Sequence, residues 1–192
     1  IAAGDNFAGA VDKFGYVYTW GSNAYGQLGN GRSSTQVSYS ASPVWVEAGL
    51  STPSSVQVDN TVSQYLRDIV ELAAGERHFV AMKDNGSIWT WGYVESGYEQ
   101  GTEYVGASHI LRPQPVVRGE NESGRAAASG AVLSRYLHEV LDIYASDDAT
   151  WYMNADHQIL FNGWFTNHNN KTPRAFNAIR PTYMTVEPSL SA

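Results

Sequence analysis

Short apolar segments bounded by turn-forming residues dominate the chain, and they predict β-strands. Ile69–Ala74 is mostly apolar with one charged residue, which is typical of a buried strand. Phe79–Met82 is a second apolar segment of strand length. Asp84-Asn85-Gly86 follows it and predicts a tight turn, because Asn and Gly accept the positive φ that such turns require.

The segment after this turn alternates like a half-buried strand. Ile88 and Thr90 would lie on one face of the sheet, and Trp89 and Trp91 on the other. After a long polar loop, Pro113–Val117 predicts a fourth strand, and its proline favours a place at the edge of the sheet. Four strands in succession predict an antiparallel meander.

The same pattern returns with a period of 71 residues, the separation of Trp20 from Trp91. Trp20-Gly21 recurs as Trp91-Gly92, and Gly163 follows at the same interval. Ala2-Ala3-Gly4 recurs as Ala73-Ala74-Gly75. A fixed period indicates a repeat architecture. The units are residues 1–68, 69–139 and 140–192, and they predict an all-β fold of β-propeller blades, each a four-stranded antiparallel meander.

Composition excludes several classes of function. The net charge is −7 with no cluster of Lys and Arg, so the electrostatic footprint of nucleic-acid binding is absent. No apolar segment approaches the ~18 residues of a membrane-spanning helix, so we expect no membrane insertion. The chain has no cysteine, which excludes disulfides and thiolate metal sites. Few lysines and many Ser, Thr, Asn and Tyr favour a secreted or cell-surface bacterial protein over a cytoplasmic one.

Three stretches of the first unit, Ala2-Ala3-Gly4, Gly15–Asn23 and Tyr25–Gly31, resemble the repeat of the regulator-of-chromosome-condensation family. The second unit keeps Asp84-Asn85-Gly86 and Trp89–Gly92, whereas the third is degenerate. The resemblance implies propeller blades, usually seven in a closed ring. Because this chain holds three units, we expect a fragment of a longer propeller or one subunit of an oligomeric ring. Self-association, or the remaining blades of a longer chain, would then complete it.

Repeated glycines and tryptophans are expected to shape the sheets and not to contact a ligand. The turn glycines Gly26, Gly29 and Gly31 are expected near the crowded central shaft, where a missing side chain lets the chain turn sharply. The residues with such a structural role are Gly4, Gly21, Gly75, Gly92, Gly163, Trp20 and Trp91.

The loops that follow each Trp-Gly position are expected to share one face of the propeller and to contact a protein partner of unknown identity. They are rich in Tyr, Trp and Asn, residue types suited to recognition. The candidate binding residues are Asn23, Tyr25, Gln27, Tyr93, Tyr98, Glu99, Trp164, Asn167 and His168. Two lead-in segments, Val62–Leu72 and Val132–Ile143, predict either a short helix before the strand or residues that cap the blade core.

Candidate catalytic and metal-binding groups are few. His78 stands where the family often has a histidine, and a packed side chain is the favoured interpretation. The other histidines do not have metal-ligand spacing. A Gly-x-Ser-x-Gly elbow and a phosphate-binding loop are both absent from the sequence. We therefore assign no catalytic residue, no metal and no cofactor.

The favoured function is a non-catalytic module that binds a protein or a surface ligand through the loops of one propeller face. Two alternatives follow from the resemblance. One is guanine-nucleotide exchange, which some family members perform, and the other is enzyme inhibition, as in bacterial β-lactamase inhibitory proteins. Catalysis in the central shaft would need a convergent His/Arg/Glu cluster, which the sequence does not show.

Overall fold

The computed structural model describes residues 1–49, 64–93, 109–116, 137–146, 148–166 and 175–183, with the backbone alone for 148, 163–166 and 175–183. Within these ranges the chain forms twelve strands in three four-stranded sheets and no helix. No helix in this part of the chain is long and apolar enough to cross a membrane. The all-β blade architecture predicted from the sequence is confirmed.

Each sheet is a meander in which the strands follow one another in chain order. The first blade contains β1 (Ala2–Ala3), β2 (Phe7–Val11), β3 (Val17–Ser22) and β4 (Tyr39–Trp45). The second contains β5 (Ile69–Ala74), β6 (His78–Lys83), β7 (Ile88–Gly92) and β8 (Ile110–Pro115). The third contains β9 (Val140–Ser146), β10 (Asp148–Asn154), β11 (Ile159–Thr166) and β12 (Ala175–Tyr183). The sheets fall within the three repeat units, whose boundaries stay a prediction.

The pairing register of the strands repeats from the first blade to the second, as the sequence does. Trp20 lies opposite Ala8 in the pairing of β2 with β3, and Trp91 lies opposite Phe79 in the pairing of β6 with β7. The third and fourth strands shift register at the Trp-Gly position, at Thr19/Gly21 in the first blade and at Thr90/Gly92 in the second. Each blade therefore bends at the same place.

The fourth strand of the second blade differs from the sequence prediction. It starts at Ile110, which pairs with Gly92, and it ends at Pro115, where Pro113–Val117 was expected. Pro113 thus lies inside the strand. The outer edge of a sheet tolerates this because no further strand requires the missing N–H.

Apolar side chains fill the space between neighbouring blades. The first and second strands supply the contacts: β1 and β2 lie against β5, and β5 and β6 lie against β9. The first joint, between the first and second blades, contains Phe7, Val17, Val46, Leu66, Ile69, Phe79, Ala81, Trp91 and Ile110. The second joint, between the second and third blades, contains Val80, Met82, Ile88, Val116, Leu137, Val140, Ile143, Tyr152 and Leu160. Neighbouring residues of β6 therefore face opposite joints.

The lead-in segments are not helical where the structure describes them. Tyr65 forms a bridge with Glu47, and the amide of Leu66 donates to the carbonyl of Val46 at 2.9 Å. Leu66 and Leu137 are buried in the first and second joints. The alternative of a short helix is therefore wrong for residues 64–68 and 137–139, and these leucines cap the core instead.

The sequence predicted the turn glycines near the central shaft, but two of them, Gly26 and Gly31, lie against the outer strand β8 of the second blade. Gly26 and Gly31 have φ of +84° and +72°, so their need for positive φ is confirmed. However, a Cβ at either position would contact the outer strand β8, at Leu111 for Gly26 and at Arg112 for Gly31. These glycines allow the loop after β3 to pack on the neighbouring blade.

The two tryptophans share a register position but not their surroundings. Trp91 is fully buried, and its indole N–H donates to the carbonyl of Gln27 at 2.9 Å. Trp20 is half-buried, because it lies on the face of the first blade that is turned away from the second blade. No other described blade covers this face, which we call the outward face of the first blade. The two tryptophans therefore share their backbone pairing, whereas only Trp91 also fills a joint, and their sheet-shaping role stays a prediction.

Candidate functional site

Loops from the first and second blades bring four ring or cationic side chains together at one end of the sheets. The Tyr25 ring lies 5.2 Å from that of Tyr93 and 5.0 Å from that of His109, both edge to face. Tyr93 and His109 stack at 5.4 Å. The Arg77 guanidinium lies over both tyrosines, 3.7 Å from the Tyr93 centroid and 5.5 Å from that of Tyr25. We call these four residues the aromatic–arginine patch.

Backbone hydrogen bonds hold the patch in place. The Tyr25 amide donates to Oε1 of Gln27 at 2.8 Å, which fixes the start of the loop after β3. The Tyr93 amide donates to the carbonyl of Arg77 at 3.0 Å, which ties the loop after β7 to the turn before β6. Gly92 has φ of +109°, a conformation that an L side chain rarely adopts, and it directs the chain to Tyr93.

Arg77 supplies the positive charge of the patch. Burial, and secondarily the charge of Arg77, lower the pKa of His109 below its usual 6.5, so this imidazole is neutral at pH 7. Glu76 is near Arg77, with 4.0 Å between Nε and Oε1. A guanidinium stacked on a tyrosine ring is preorganised, and aromatic rings beside arginine are typical of protein-recognition surfaces. The site can therefore bind and orient a partner side chain.

Two candidate binding residues serve the loop and not a partner. Asn23 is fully buried; its amide donates to the carbonyl of Arg32 at 2.9 Å, and its oxygen accepts the amide of Leu28 at 3.0 Å. Gln27 is 2% exposed and accepts from Tyr25. The prediction that Asn23 and Gln27 contact a partner is therefore corrected, because burial leaves neither side chain accessible.

The remaining candidates divide by location. Tyr25 and Tyr93 are half-buried and in mutual contact, as expected for loops that share one face. Trp164 lies in β11, where its backbone pairs with Asp148 and Asn177. The other four candidates lie outside the described residues: Tyr98, Glu99, Asn167 and His168.

The sequence did not single out Arg77 or His109 as binding residues. Departure from the repeat is a signal for Arg77 and Tyr93, whose counterparts 71 positions earlier are Asn6 and Ser22. His109 gives no such signal: Ser40 pairs with Gly21 as Ile110 pairs with Gly92, so the residue before Ser40, Tyr39, is the counterpart of His109. The first blade thus adopts the same meander with small polar residues in place of Arg77 and Tyr93. The blade itself does not require the guanidinium or the Tyr93 ring.

The repeated glycines have the same local role in both blades. The Gly4 amide donates to the carbonyl of Phe7, and the Gly75 amide donates to that of His78, each at 3.0 Å, in the turn between the first two strands. Gly163 pairs with Ala149 and Ala178 in the third sheet.

In the part of the chain that the structure describes, no three His, Asp or Glu residues are placed to hold a metal ion.

The sheets and their joints define the class of protein: an array of propeller blades built from one repeat. One model of the regulator of chromosome condensation (RCC1) repeat matches residues 15–82, and a second model of this repeat matches residues 1–27 and 69–98. The chain belongs to this repeat family. Alsin of Rattus norvegicus is 33% identical over 94 residues, which are 48% of this chain and 5% of Alsin. The human E3 ubiquitin-protein ligase HERC2 is 32% identical over 97 residues, 50% of this chain and 2% of HERC2.

Solved structures show the same architecture. Human WBSCR16 superposes with a TM-score of 0.62 at 15% identity, over 95% of this chain and 36% of that one. Prp20p of Saccharomyces cerevisiae superposes with a TM-score of 0.57 at 18% identity, over 97% of this chain and 38% of Prp20p. The chain therefore spans a few per cent of these sequence relatives and about a third of these structures.

Proposed function

We propose that this chain is a non-catalytic binding module that recognises a protein partner with the aromatic–arginine patch. The observation that carries the proposal is the departure from the repeat: Asn6 and Ser22 serve the first blade where the second has Arg77 and Tyr93, and the Ser22 amide donates to the Asn6 carbonyl as the Tyr93 amide donates to that of Arg77. Structural need does not explain two such replacements in contact with each other. The related Prp20p fold supports a protein partner, since that protein's binding to Gsp1p and histones has been described.

Photo-crosslinking tests this proposal. A benzophenone amino acid at Tyr93 is expected to capture a protein from the native source, and Arg77→Ala is expected to abolish the capture. Arginine and tyrosine are enriched among residues whose truncation costs about 2 kcal/mol or more of binding free energy.

Phe14 provides the matched control. It is 68% exposed in the β2–β3 turn, at the opposite end of the sheet from the patch. The same probe at Phe14 is expected to capture nothing in common with the probe at Tyr93. An identical set of captured proteins from both positions, or capture that persists in Arg77→Ala, would refute the assignment. Exchange-factor or enzyme-inhibitor activity would appear as a GTPase or an enzyme among the captured proteins.

A second proposal concerns the outward faces of the first and third blades. On the first blade this face contains Ala8, Ala10 and Trp20, which repeat as Phe79, Ala81 and Trp91 in the second blade. All three repeats are fully buried against the first blade, whereas Trp20 is only half-buried. Within the described residues the Trp20 indole N–H has no acceptor, while that of Trp91 has one. We infer that the first blade's outward face docks another blade of this repeat.

The third blade offers the complementary face. Trp151, Met153 and Ile159 stand at the positions where Val80, Met82 and Ile88 contact the next blade. Two copies of the chain are therefore expected to associate head to tail, a contact that continues until a ring or filament forms.

Light scattering over a concentration series tests this association. The mass is expected to rise above that of one 21.0 kDa chain, and Trp20→Arg is expected to lower it. Phe14→Arg, outside the docking face, is the control and should leave the mass unchanged. A single-chain mass at every concentration would contradict the proposal.

The extracellular location indicated by composition stays a prediction.

A further inference from the structure

The two joints place different chemistry at the same positions of the repeat. Phe7, Phe79, Ala81 and Trp91 in the first joint become His78, Thr150, Tyr152 and Asn162 in the second. In the first joint the rings pack tightly, with 4.8 Å between the centroids of Phe7 and Phe79 and 5.1 Å between those of Phe79 and Trp91. In the second joint, polar groups replace all three rings.

These polar groups form a buried chain that is incompletely paired. A hydrogen bond of 2.8 Å joins His78 Nε2 to the Thr150 hydroxyl, and the Tyr152 hydroxyl donates to Oδ1 of Asn162. All four side chains are at most 1% exposed. Among the described residues, His78 Nδ1 and Asn162 Nδ2 have no hydrogen-bond partner. Unpaired buried polar atoms weaken an interface, whereas the rings of the first joint strengthen theirs.

The inner strands of the second joint carry a carboxyl pair. Glu71 of β5 and Asp142 of β9 occupy the same position of the repeat, on strands that pack against each other across the joint. The Tyr144 hydroxyl donates to Asp142 at 2.6 Å. Burial and the neighbouring Asp142 raise the pKa of Glu71, so Glu71 holds a proton beside the Asp142 carboxylate. Loss of this proton leaves two negative charges facing each other across the joint.

We propose that the second joint is the weak, pH-sensitive joint of the array, at which the second and third blades separate while the first and second stay packed. The polar chain weakens the joint at every pH, and the carboxyl pair makes its opening depend on pH. The two blades that build the aromatic–arginine patch thus form a rigid unit beside a third blade that opens.

The titratable groups around Glu71 define the pH range. Burial, then the contact with Asp142, raise the pKa of Glu71 to about 7. The Tyr144 hydrogen bond lowers the pKa of Asp142, so the shared proton lies on Glu71. Strands β1 and β2 carry no titratable residue, and on β6 the candidates are His78 and Lys83. Lys83 interacts with charges at Asp68 and Asp84, away from Glu71.

Glu71 and His78 change the stability of the fold in opposite directions as the pH rises. The folded pKa of Glu71 lies above its ordinary 4.5, so its stabilisation is complete below 4.5 and is lost as pH rises through about 7. Burial lowers the pKa of His78 from 6.5 to about 4, so its contribution is lost as pH falls over that range. The two effects offset each other below 6.5. Between 6.5 and 8 only the loss of the Glu71 contribution remains, and the joint is expected to loosen.

Thiol labelling tests the weak joint, because the chain has no native cysteine. Val80 and Ala81 are neighbours in β6 and fully buried, but Val80 faces the second joint and Ala81 the first. We expect the thiol of Val80→Cys to react with a small disulfide reagent at least an order of magnitude faster than that of Ala81→Cys under native conditions. Equal rates, or faster labelling of Ala81→Cys, would overturn the proposal.

Glu71→Gln tests the carboxyl pair separately. The glutamine amide donates to Asp142 at every pH and cannot lose its proton. The labelling rate of Val80→Cys is divided at each pH by that of Ala81→Cys, which corrects for the thiolate content. This corrected rate is expected to rise from pH 6.5 to 8 in the chain that keeps Glu71. In the Glu71→Gln background the corrected rate is expected to stay constant over the same range. The same acceleration in both backgrounds would refute the pH-dependent part.

A titration of the unsubstituted protein gives a result even if E71Q fails to fold. Carbon-13 NMR of labelled glutamate carboxyls is expected to show one residue with a midpoint near 7. Asp142→Asn removes the like charge and is expected to move this midpoint toward 4.5. A set of midpoints that all lie near 4.5 in the unsubstituted protein would contradict the shared proton.

Discussion

Replacement of Trp91 by alanine is expected to lower the free energy of unfolding by about 3–5 kcal/mol. The side chain is fully buried in the first joint, stacks on Phe79 at 5.1 Å and donates its indole N–H to the Gln27 carbonyl. Truncation therefore removes a large apolar contact, opens a cavity and leaves a buried carbonyl without its donor. Urea unfolding followed by circular dichroism measures the loss.

Trp20 is the matched control, because it has the same residue type and the same register position. Its half-buried side chain has no acceptor among the described residues and fills no described joint. Trp20→Ala is therefore expected to cost about 1 kcal/mol, the typical effect of a partly exposed side chain, when unfolding is measured at a concentration at which the protein is a single chain. Equal losses from the two substitutions would show that the first joint does not distinguish the two faces of a blade.

Replacement of Gly92 by asparagine is expected to destabilise the fold by about 3 kcal/mol or more. Its φ of +109° lies outside the left-handed region that asparagine tolerates. A Cβ there would also lie 2.7 Å from the carbonyl oxygen of Arg77 and 2.9 Å from the Cα of His78, both backbone atoms that cannot turn away. The substitution thus strains the backbone beside the patch.

Gly86→Asn is the control for this position. Gly86 has φ of +74°, close to the left-handed region, and lies in a turn where asparagine is common. The nearest atom to a Cβ there is the Glu139 amide nitrogen at 3.0 Å, so a small shift suffices. We expect a cost of about 1 kcal/mol. Thermal unfolding of both variants measures the difference, and a Gly86→Asn loss as large as that of Gly92→Asn would contradict this explanation.

The sequence predicted the blades well because their determinants are local. The alternation from Ile88 to Trp91 and the turn at Asp84-Asn85-Gly86 each depend on a few neighbouring residues. The same pattern occurs more than once in the chain, and this recurrence distinguishes a strand from an isolated apolar segment. The outer strand was placed less well. Its start at Ile110 is fixed by pairing with Gly92, eighteen positions away in the sequence.

The binding residues were harder to predict because accessibility depends on tertiary packing. Asn23 and Gln27 are polar residues of a loop, yet their side chains satisfy the backbone of that loop and are buried. Arg77 belongs to a turn with no motif of its own, and only its contact with Tyr93 reveals a role. Comparison of the repeats position by position identifies Arg77, where the first blade has Asn6, but not His109, where the first blade has Tyr39.

The most direct test of the binding assignment returns two patch positions to the residues that the first blade carries: Arg77→Asn and Tyr93→Ser together. Because Asn6 and Ser22 occupy these positions in an intact blade, the variant is expected to fold with an unchanged circular dichroism spectrum. Calorimetry with the protein captured at Tyr93 should show affinity reduced about 30-fold or more, the loss expected from one hot-spot residue. An unchanged affinity in a folded variant would contradict the claim that this patch binds the partner.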